Sequence, residues 1–289
     1  MERLIWVECP RDAMQGYPTV FATKDKIAYL KRLLPVGFDY LDVASFVSPK
    51  AIPQMADSDE VLDALAPEKG ANKFLVIAAN AQGIDRAVAH PAVDVVGVPF
   101  SISEQFQRRN TNRSQLQVLD DWTPALQRAH DAGKEVVVYL SMAFGNPYGE
   151  PSTLDLVAEW AQKAVSRWQP SVLSVSDTVG SAKPQSIRDV VAAVRTAAGN
   201  TPLGLHLHLP AAEALSNGLL EAAWESGIRR FDSALLGLGG CPFAQNHLVG
   251  NLPSEALLTF ATAHGASFGV KPLALESAHN AARAFFNYL

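Results

Sequence analysis

The sequence predicts an α/β fold, a (β/α)8 TIM barrel with a short C-terminal helical extension, and three observations support it. Short apolar runs rich in Val, Ile and Leu alternate with amphipathic stretches, which is typical of repeated βα units around a parallel sheet. About eight such units can be counted. The 289 residues fit one barrel of roughly 250 residues. We therefore expect a single catalytic domain over 1–289, with the barrel at about 3–265 and a helical tail at about 266–289.

The predicted strands are short runs of β-branched and aliphatic residues between amphipathic segments. In chain order they are Leu4 to Glu8, Tyr40 to Ala44, Lys73 to Ala78, Val93 to Val98, Glu135 to Leu140, Val172 to Val175, Leu203 to His208 and Arg229 to Ser233. Eight parallel strands with intervening helices favour a closed barrel.

Helix starts are indicated by capping residues and by a proline in the first turn. These signals predict helices over Lys24 to Leu34 after Thr23, over Thr153 to Trp168 after Ser152, and from Pro184 to about Ala197. Helix ends are expected at Gly37, Gly133 and Gly227. Apolar residues in the tail from Ala263 to Leu289 recur at helical spacing, which predicts a packed helix there.

Composition excludes several classes of function. The net charge of -5 and the absence of a basic stripe argue against nucleic acid as a partner. No run reaches the roughly 18 to 20 apolar residues of a membrane span, and the N-terminus lacks a signal-peptide pattern, so we expect a cytoplasmic protein without a membrane partner. Cys9 and Cys241 lie at opposite ends of the sequence and are interpreted as free thiols.

Two histidines, His206 and His208, lie two residues apart at the end of the seventh predicted strand. Side chains at this spacing point to the same face of a strand, about 7 Å apart along it. This arrangement suits two ligands of one divalent metal. A pair of packed core histidines is the alternative.

Other polar residues follow the predicted strands at the same end of the barrel, where barrel enzymes hold their active sites. They are Arg11, Asp12, Asp42, Ser45, Asn80, Ser141, Asp177 and the run Gly237 to Cys241. Because Asp12 follows the first strand, it can face the two histidines across the rim. Two imidazoles and one carboxylate, completed by water or substrate oxygens, suit Mg²⁺ or Mn²⁺ better than structural zinc.

Three features of this rim have more than one interpretation. Arg11 is either a surface ion-pair partner of Asp12 or a fixed guanidinium that stabilises an enolate oxygen. Asp177 is either a helix cap or a group for proton transfer or support of the site. The glycine-rich run before Cys241 lacks a phosphate-binding motif and is interpreted as a loop that carries a thiol to the site, with a buried inert cysteine as the alternative.

The chain resembles the 3-hydroxy-3-methylglutaryl-CoA lyase family of metal-dependent TIM-barrel enzymes, from about residue 3 to 265. The matching segments are Pro10-Arg11-Asp12-Ala13-Met14-Gln15, Ser45-Phe46-Val47-Ser48-Pro49-Lys50, Pro53-Gln54-Met55, Ser176-Asp177-Thr178-Val179-Gly180, His206-Leu207-His208, Gly237-Leu238-Gly239-Gly240-Cys241-Pro242-Phe243-Ala244-Gln245 and Gly250-Asn251-Leu252. The segments Ser45 to Lys50 and Gly237 to Pro242 are typical of the lyase rather than of the wider superfamily.

The resemblance implies roles for individual residues. The metal ligands would be Asp12, His206, His208 and, more weakly, Asn251. Arg11 would stabilise the enolate of acetyl-CoA, Cys241 would take part in proton transfer, and Asp177 with His206 would remove the substrate hydroxyl proton. Asp42 stands where the family has Glu near the metal, and the matching segments imply substrate contacts at Gln15, Ser45 and Lys50.

Four departures from the family pattern lie near these residues. Val7-Glu8-Cys9 replaces Glu-Val-Gly, which moves the carboxylate to the opposite face of the strand and puts a thiol in place of a glycine. Asp42 is one methylene shorter than Glu. Leu209-Pro210 replaces the Asp-Thr that follows the second histidine. These departures keep the ligands and bear on the acyl substrate.

The resemblance implies cleavage of 3-hydroxy-3-methylglutaryl-CoA to acetyl-CoA and acetoacetate, a step of leucine catabolism, by a homodimer or higher homo-oligomer. A lyase for a related 3-hydroxy-3-substituted acyl-CoA and a Claisen-type condensing enzyme are the alternatives. No lysine lies at the end of the sixth strand, where a Schiff-base nucleophile would be expected, which favours a metal-assisted route. A catalytically silent barrel would be expected to lack Arg11 or a ligand, and neither is missing.

Overall fold

Eight parallel strands form a closed barrel in which each strand pairs with its neighbours in sequence and the eighth pairs with the first. The computed structural model describes residues 2–240 and 249–288. The strands are β1 (Ile5–Glu8), β2 (Tyr40–Ser45), β3 (Lys73–Ile77), β4 (Val95–Ser101), β5 (Glu135–Ser141), β6 (Val172–Asp177), β7 (Leu203–Leu207) and β8 (Arg230–Ser233). The predicted barrel is thereby confirmed.

Helices surround the barrel and connect its strands. They are α1 (Pro10–Gln15), α2 (Thr23–Leu33), α3 (Ser58–Leu65), α4 (Ala81–Ala89), α5 (Glu104–Thr111), α6 (Gln115–Asp131), α7 (Leu154–Trp168), α8 (Pro184–Ala198), α9 (Leu219–Glu225), α10 (Ser254–Ala263) and α11 (Pro272–Phe285). Among the described residues, none of these helices combines the length and apolar character needed to cross a membrane.

Two predicted helix starts are displaced by one residue. Thr153, not Ser152, caps α7, because its hydroxyl accepts the backbone N–H of Leu156. Thr23 lies inside α2 and Ala22 precedes it as the cap position. The shifts are small because a hydroxyl residue can serve on either side of a helix boundary, and local sequence alone does not decide which.

The two ends of the barrel interior differ in chemistry. At the amino end, the Tyr40 hydroxyl donates to Glu135 Oε2 at 3.0 Å, and Lys73 forms an ion pair with the same carboxylate. Above them, aliphatic side chains such as Leu75 and Val137 fill the interior. The carboxyl end is lined by polar groups, as barrel enzymes require.

Candidate active site

A cavity of about 340 Å³ lies at the carboxyl ends of the strands. Its polar lining comes from segments at the ends of β1, β2, β6, β7 and β8, and includes Cys9, Arg11, Asp12, Gln15, Asp42, Ser176, Thr178, His206, His208 and Asp232. Apolar side chains after β2 and along α5 complete the wall, including Val47, Ile52 and Phe106. Of the rim residues predicted from the sequence, those that line this cavity are Arg11, Asp12, Asp42, Asn80, Ser141, His206 and His208, whereas Ser45 and Asp177 do not line it.

The two histidines at the end of β7 face each other through their Nε2 atoms, which are 3.1 Å apart. His208 Nδ1 lies 2.9 Å from the Thr178 carbonyl, which only accepts, so this nitrogen bears the proton. His206 Nδ1 lies 3.2 Å from Asp232 Oδ2. Two Nε2 lone pairs repel at this separation unless a proton or metal ion lies between them. The distance also matches neighbouring ligands of one ion held at about 2.1 Å from each nitrogen.

Asp12 in α1 completes a three-residue cluster with the two histidines. One carboxylate oxygen of Asp12 and one ring nitrogen of each histidine all lie within 4.8 Å of one another. Asp12 Oδ2 accepts from Asn251 Nδ2 at 2.8 Å and from the backbone N–H of Gly240 at 3.1 Å. Asn251 Nδ2 also donates to the Leu238 carbonyl at 2.7 Å. Both amide hydrogens are therefore used, which leaves the Asn251 side-chain oxygen as an uncharged atom that could bind a metal ion.

Arg11 is held by three side chains around the same cluster. Its Nε and Nη2 donate to the Asp42 carboxylate, with Nη2 2.6 Å from Oδ2. Its Nη1 donates to Asp12 Oδ1 at 3.0 Å and to Gln15 Oε1 at 2.8 Å. A guanidinium fixed along two edges keeps its charge in one place, which is what stabilising an oxyanion requires.

The charges at this rim follow from burial and neighbouring ions. Burial would raise the pKa of Asp12, but Arg11 and the two imidazoles hold it below its ordinary value. Burial lowers the pKa of His208 to about 4, so this ring is neutral at pH 7 and has a free lone pair. Burial raises the pKa of Asp42 to about 6 against the opposing effect of Arg11, so the carboxylate is ionised at neutral pH. An ionised Asp12 and a neutral His208 are the forms that bind a divalent cation.

Comparison with known proteins agrees with this geometry. Residues 3–281 match the family model described as HMGL-like. The chain belongs to the HMGL-like family. The mitochondrial hydroxymethylglutaryl-CoA lyase of Mus musculus is 35% identical over 261 residues, which cover 90% of this chain and 78% of the relative. The sequence-based identification of the family is confirmed.

Two further proteins are similar to this HMGL-like chain. A Pseudomonas aeruginosa protein named 3-hydroxy-3-isohexenylglutaryl-CoA/hydroxy-methylglutaryl-CoA lyase is 34% identical, covering 86% of this chain and 81% of the relative. The solved structure of an HMG-CoA lyase from A. baumannii, in complex with coenzyme A and 3-methylmalate, superposes with a TM-score of 0.90 at 28% identity, covering 99% and 92% of the two chains. This HMGL-like protein is an enzyme of the HMG-CoA lyase type.

Asp177 has partners of its own in this HMGL-like barrel. Its Oδ1 and Oδ2 accept the backbone N–H groups of Ser181 and Ala182, each at 2.9 Å, so the carboxylate holds the turn after β6. Its neighbours Ser176 and Thr178, at alternate positions, line the cavity. Asp177 itself does not line the cavity, so both its support of the site and its role in proton transfer stay predictions.

The residues predicted to contact substrate differ in how far they are buried. Gln15 lines the cavity and bonds to Arg11. The Ser45 hydroxyl donates to the Ile77 carbonyl at 3.1 Å and is buried, whereas Lys50 is exposed. Cys241 lies outside the described residues. Substrate contacts of Gln15, Ser45 and Lys50 stay predictions.

The departures from the family pattern have distinct surroundings. Glu8 points out of the barrel, as strand alternation predicts, and accepts from the Leu235 N–H at 2.8 Å and from the Ser254 hydroxyl. Cys9 points inward, and its sulfur lies within 4.8 Å of ligand atoms of His206 and Asp232. The Leu209 N–H donates to the Gly250 carbonyl at 2.8 Å, in the same pairing that places Asn251 beside His208.

Sequence reasoning missed Asp232 and its neighbour Arg230. Both lie on β8 at alternate positions, so both point into the barrel. The Asp232 carboxylate contacts His206, and Arg230 Nη1 donates to Asp232 at 3.0 Å. Two charged residues at inward positions of a buried strand were the available signal.

Proposed function

We propose that this protein is a divalent-metal-dependent carbon–carbon lyase that cleaves 3-hydroxy-3-methylglutaryl-CoA to acetyl-CoA and acetoacetate, as in leucine catabolism. The 3.1 Å approach of His206 Nε2 to His208 Nε2, beside the Asp12 carboxylate, is the observation that carries the proposal. The named relatives and the coenzyme A complex of the A. baumannii enzyme support an acyl-CoA substrate. The cytoplasmic location and the homo-oligomeric state stay predictions.

Asp12, His206, His208 and Asn251 would hold Mg²⁺ or Mn²⁺. Two imidazole nitrogens, one carboxylate and one amide oxygen, without a thiolate, are ligand atoms that fit these ions. When bound, the ion supplies positive charge that orients and polarises substrate oxygens.

The side chains around the cluster supply the remaining chemistry. A base takes the proton from the C3 hydroxyl. The family resemblance suggests Asp177 for this role, because His206 would use Nε2 for the ion and its Nδ1 lies against Asp232. The C2–C3 bond then breaks, and its electron pair forms the enolate of acetyl-CoA. Arg11 uses four N–H groups on Asp42, Asp12 and Gln15, which leaves one Nη2 hydrogen for the enolate oxygen. A proton from the Cys241 thiol, proposed from the family resemblance, completes acetyl-CoA.

A related acyl-CoA with a larger alkyl group at C3 is the second candidate substrate. The cavity lining includes several apolar side chains, among them Val47, Ile52, Ile77 and Phe106. Apolar groups of this kind in a pocket can accommodate an alkyl substituent. The name of the Pseudomonas aeruginosa relative includes a substrate with an isohexenyl group at this carbon.

The activity is tested by incubating the purified protein with Mn²⁺ or Mg²⁺ and a thiol reductant, and by measuring acetoacetate from 3-hydroxy-3-methylglutaryl-CoA. Homologous thioesters with longer 3-alkyl groups are followed by release of acetyl-CoA. We expect cleavage that stops with a chelator and returns with the ion. The Asp12→Asn variant should lose both cleavage and the rise in melting temperature that Mn²⁺ gives the parent protein. Absence of cleavage of every thioester would overturn the proposal.

A further inference from the structure

A buried ion pair lies beneath the two histidines, inside the barrel. Arg230 Nη1 donates to Asp232 Oδ1 at 3.0 Å, and the two side chains are 3% and 0% exposed. The other carboxylate oxygen, Oδ2, lies 3.2 Å from His206 Nδ1. One carboxylate therefore joins a buried cation to a histidine at the rim.

We propose that Arg230 and Asp232 are positioning residues that keep the proton of neutral His206 on Nδ1, so that Nε2 faces His208 with a free lone pair. The inference rests on the proposed function, in which this nitrogen binds the divalent ion. A metal-binding imidazole commonly donates its other N–H to a carboxylate, which fixes both the ring and the tautomer.

The direction of each hydrogen bond follows from the groups present. Arg230 has only donors, so the Asp232 carboxylate accepts from it through Oδ1. The second oxygen, Oδ2, is then an acceptor as well. A neutral His206 ring that bonds to it must place its single proton on Nδ1.

The barrel interior is built to accommodate the arginine. A Cβ atom at Gly204 would lie 3.0 Å from Arg230 Nη1 and 3.2 Å from Ser174 Oγ, so the absence of a side chain at this position of β7 makes room for the guanidinium. On its other side the guanidinium carbon lies 5.3 Å from the centroid of the Tyr40 ring.

Stability alone does not explain this pair. Branched aliphatic residues commonly fill such an interior, and they avoid the desolvation penalty that a buried ion pair carries. Arg230 Nε and Nη2 have no hydrogen-bond partner among the described residues, which adds to the penalty. We therefore attribute the buried arginine to its contact with Asp232, the carboxylate that orients His206.

The two histidines differ in how they are supported. His208 donates to a backbone carbonyl, that of Thr178, which no side-chain substitution removes. His206 depends on a side chain, and within residues 2–240 and 249–288 Asp232 is the acceptor found at its Nδ1. The tautomer of His206 is therefore open to test by mutation.

The decisive variant is Asp232→Asn. Arg230 requires an acceptor, so the amide oxygen should turn toward Arg230 and the amide nitrogen toward His206 Nδ1. The imidazole proton then moves to Nε2, where it blocks the ion. We expect Mn²⁺ affinity, measured by isothermal calorimetry, to fall about 10- to 100-fold. ¹⁵N NMR of histidine-labelled protein, at a pH where the rings are neutral, should report protonated Nε2 at His206.

A double variant separates positioning from general damage. In Asp232→Asn combined with Arg230→Met, the amide oxygen is free to accept from His206 Nδ1, so Mn²⁺ affinity should recover to within about tenfold of the parent value. Ser174→Ala is the matched control, because Ser174 lies in the same layer beside Arg230 without touching His206. Its Mn²⁺ affinity and NMR spectrum should equal those of the parent.

Several results would overturn the inference. They are a parent spectrum with the proton on Nε2 of neutral His206, unchanged Mn²⁺ affinity in Asp232→Asn, and a double variant no better than the single one. The parent spectrum needs no variant, so the test survives if a variant does not fold. If the parent binds no Mn²⁺, the proposed metal site fails, whereas the NMR comparison still decides the tautomer.

Discussion

At the scale of single residues, the anchoring of Arg11 determines what its side chain can do. Asp42 accepts along one edge of the guanidinium, while Asp12 and Gln15 accept from Nη1. The side chain is nearly buried and cannot swing away. Its charge is therefore fixed before substrate arrives, which is the condition for electrostatic stabilisation of an enolate.

Arg11→Gln should lower kcat for the thioester that the parent cleaves by about 100- to 1000-fold, because a preorganised donor is lost. Mn²⁺ affinity should not fall, since the variant removes a cation that competes for Asp12. Steady-state kinetics and calorimetry on one preparation measure both. Arg11→Lys is the matched control for charge: we expect it to stay at least about tenfold slow, because one ammonium cannot span both carboxylates. Parent-like kcat in Arg11→Gln would contradict the proposed role.

Glu8 gives a second prediction at this scale, and its sign follows from burial. Burial raises the pKa of Glu8 to about 8, opposed by its hydrogen bonds from Ser254 and Leu235. The folded protein therefore binds a proton here that the unfolded chain releases at its ordinary pKa of 4.5. This contribution to stability is full below pH 4.5 and is lost as the pH rises through about 8.

Glu8→Gln should accordingly leave the melting temperature similar at pH 4 and raise it by several degrees relative to the parent at pH 9. The amide keeps an acceptor for the Leu235 N–H. Like a protonated acid, it can also donate to the Ser254 hydroxyl, whose own hydrogen can then bond to Ser233. Differential scanning calorimetry at the two pH values measures the change. Equal melting temperatures of parent and variant at pH 9 would refute the raised pKa.

At the scale of elements, α4 lies against the segment after β2. A Cβ atom at Gly83 would lie 2.3 Å from the Phe46 carbonyl oxygen, which belongs to the backbone and cannot rotate away. Asn80 caps the same helix by accepting the Gly83 N–H at 2.7 Å. The glycine thus permits a close approach between α4 and the backbone that follows β2.

Gly83→Ala should lower the melting temperature by several degrees. In an unhindered helix the same change raises helix stability by roughly 1 kcal/mol, so the sign itself is informative. Gln82→Ala, at the exposed position before it, is the matched control and should change the melting temperature little. Thermal unfolding followed by circular dichroism checks both, and a stabilised Gly83→Ala protein would contradict the close contact.

At the scale of the whole molecule, α11 returns from the end of the barrel to cover α2. The Phe285 ring stacks on Tyr29 at 4.6 Å between centroids, and Phe286, which is 2% exposed, meets Tyr29 edge-on at 5.6 Å. The Tyr17 hydroxyl donates to the Phe286 carbonyl. The tail therefore fastens the first βα unit, which contributes Arg11 and Asp12.

Phe286→Ala should reduce the free energy of unfolding by about 3–5 kcal/mol, as removal of a buried aromatic ring usually does. Leu273→Ala on the same helix is the matched control, because Leu273 is 83% exposed and should cost little. Urea denaturation measures both values. A loss for Phe286→Ala no larger than that for Leu273→Ala would show that the aromatic cluster does not hold the tail.

The sequence predicted much of the fold and part of the site. Hydrophobic periodicity located all eight strands, with ends that differ by a few residues; β4, for example, ends at Ser101 rather than at Val98. The His206–His208 spacing and the chain position of Asp12 predicted a cluster that the structure brings together. The sequence did not reveal that the carboxylate of Asp177 bonds to the backbone of its own turn. This contact depends on the path of the loop after β6.

The sequence by itself determined the order of strands and helices and the kinds of side chain at the rim, because periodicity and strand ends are local properties. Only the tertiary structure decided the partners of each polar group. The pairing of β8 with β7 places Asp232 beside His206, and Arg230 two residues deeper in the barrel beside Gly204. Such pairings depend on register between strands distant in sequence, which no local pattern encodes.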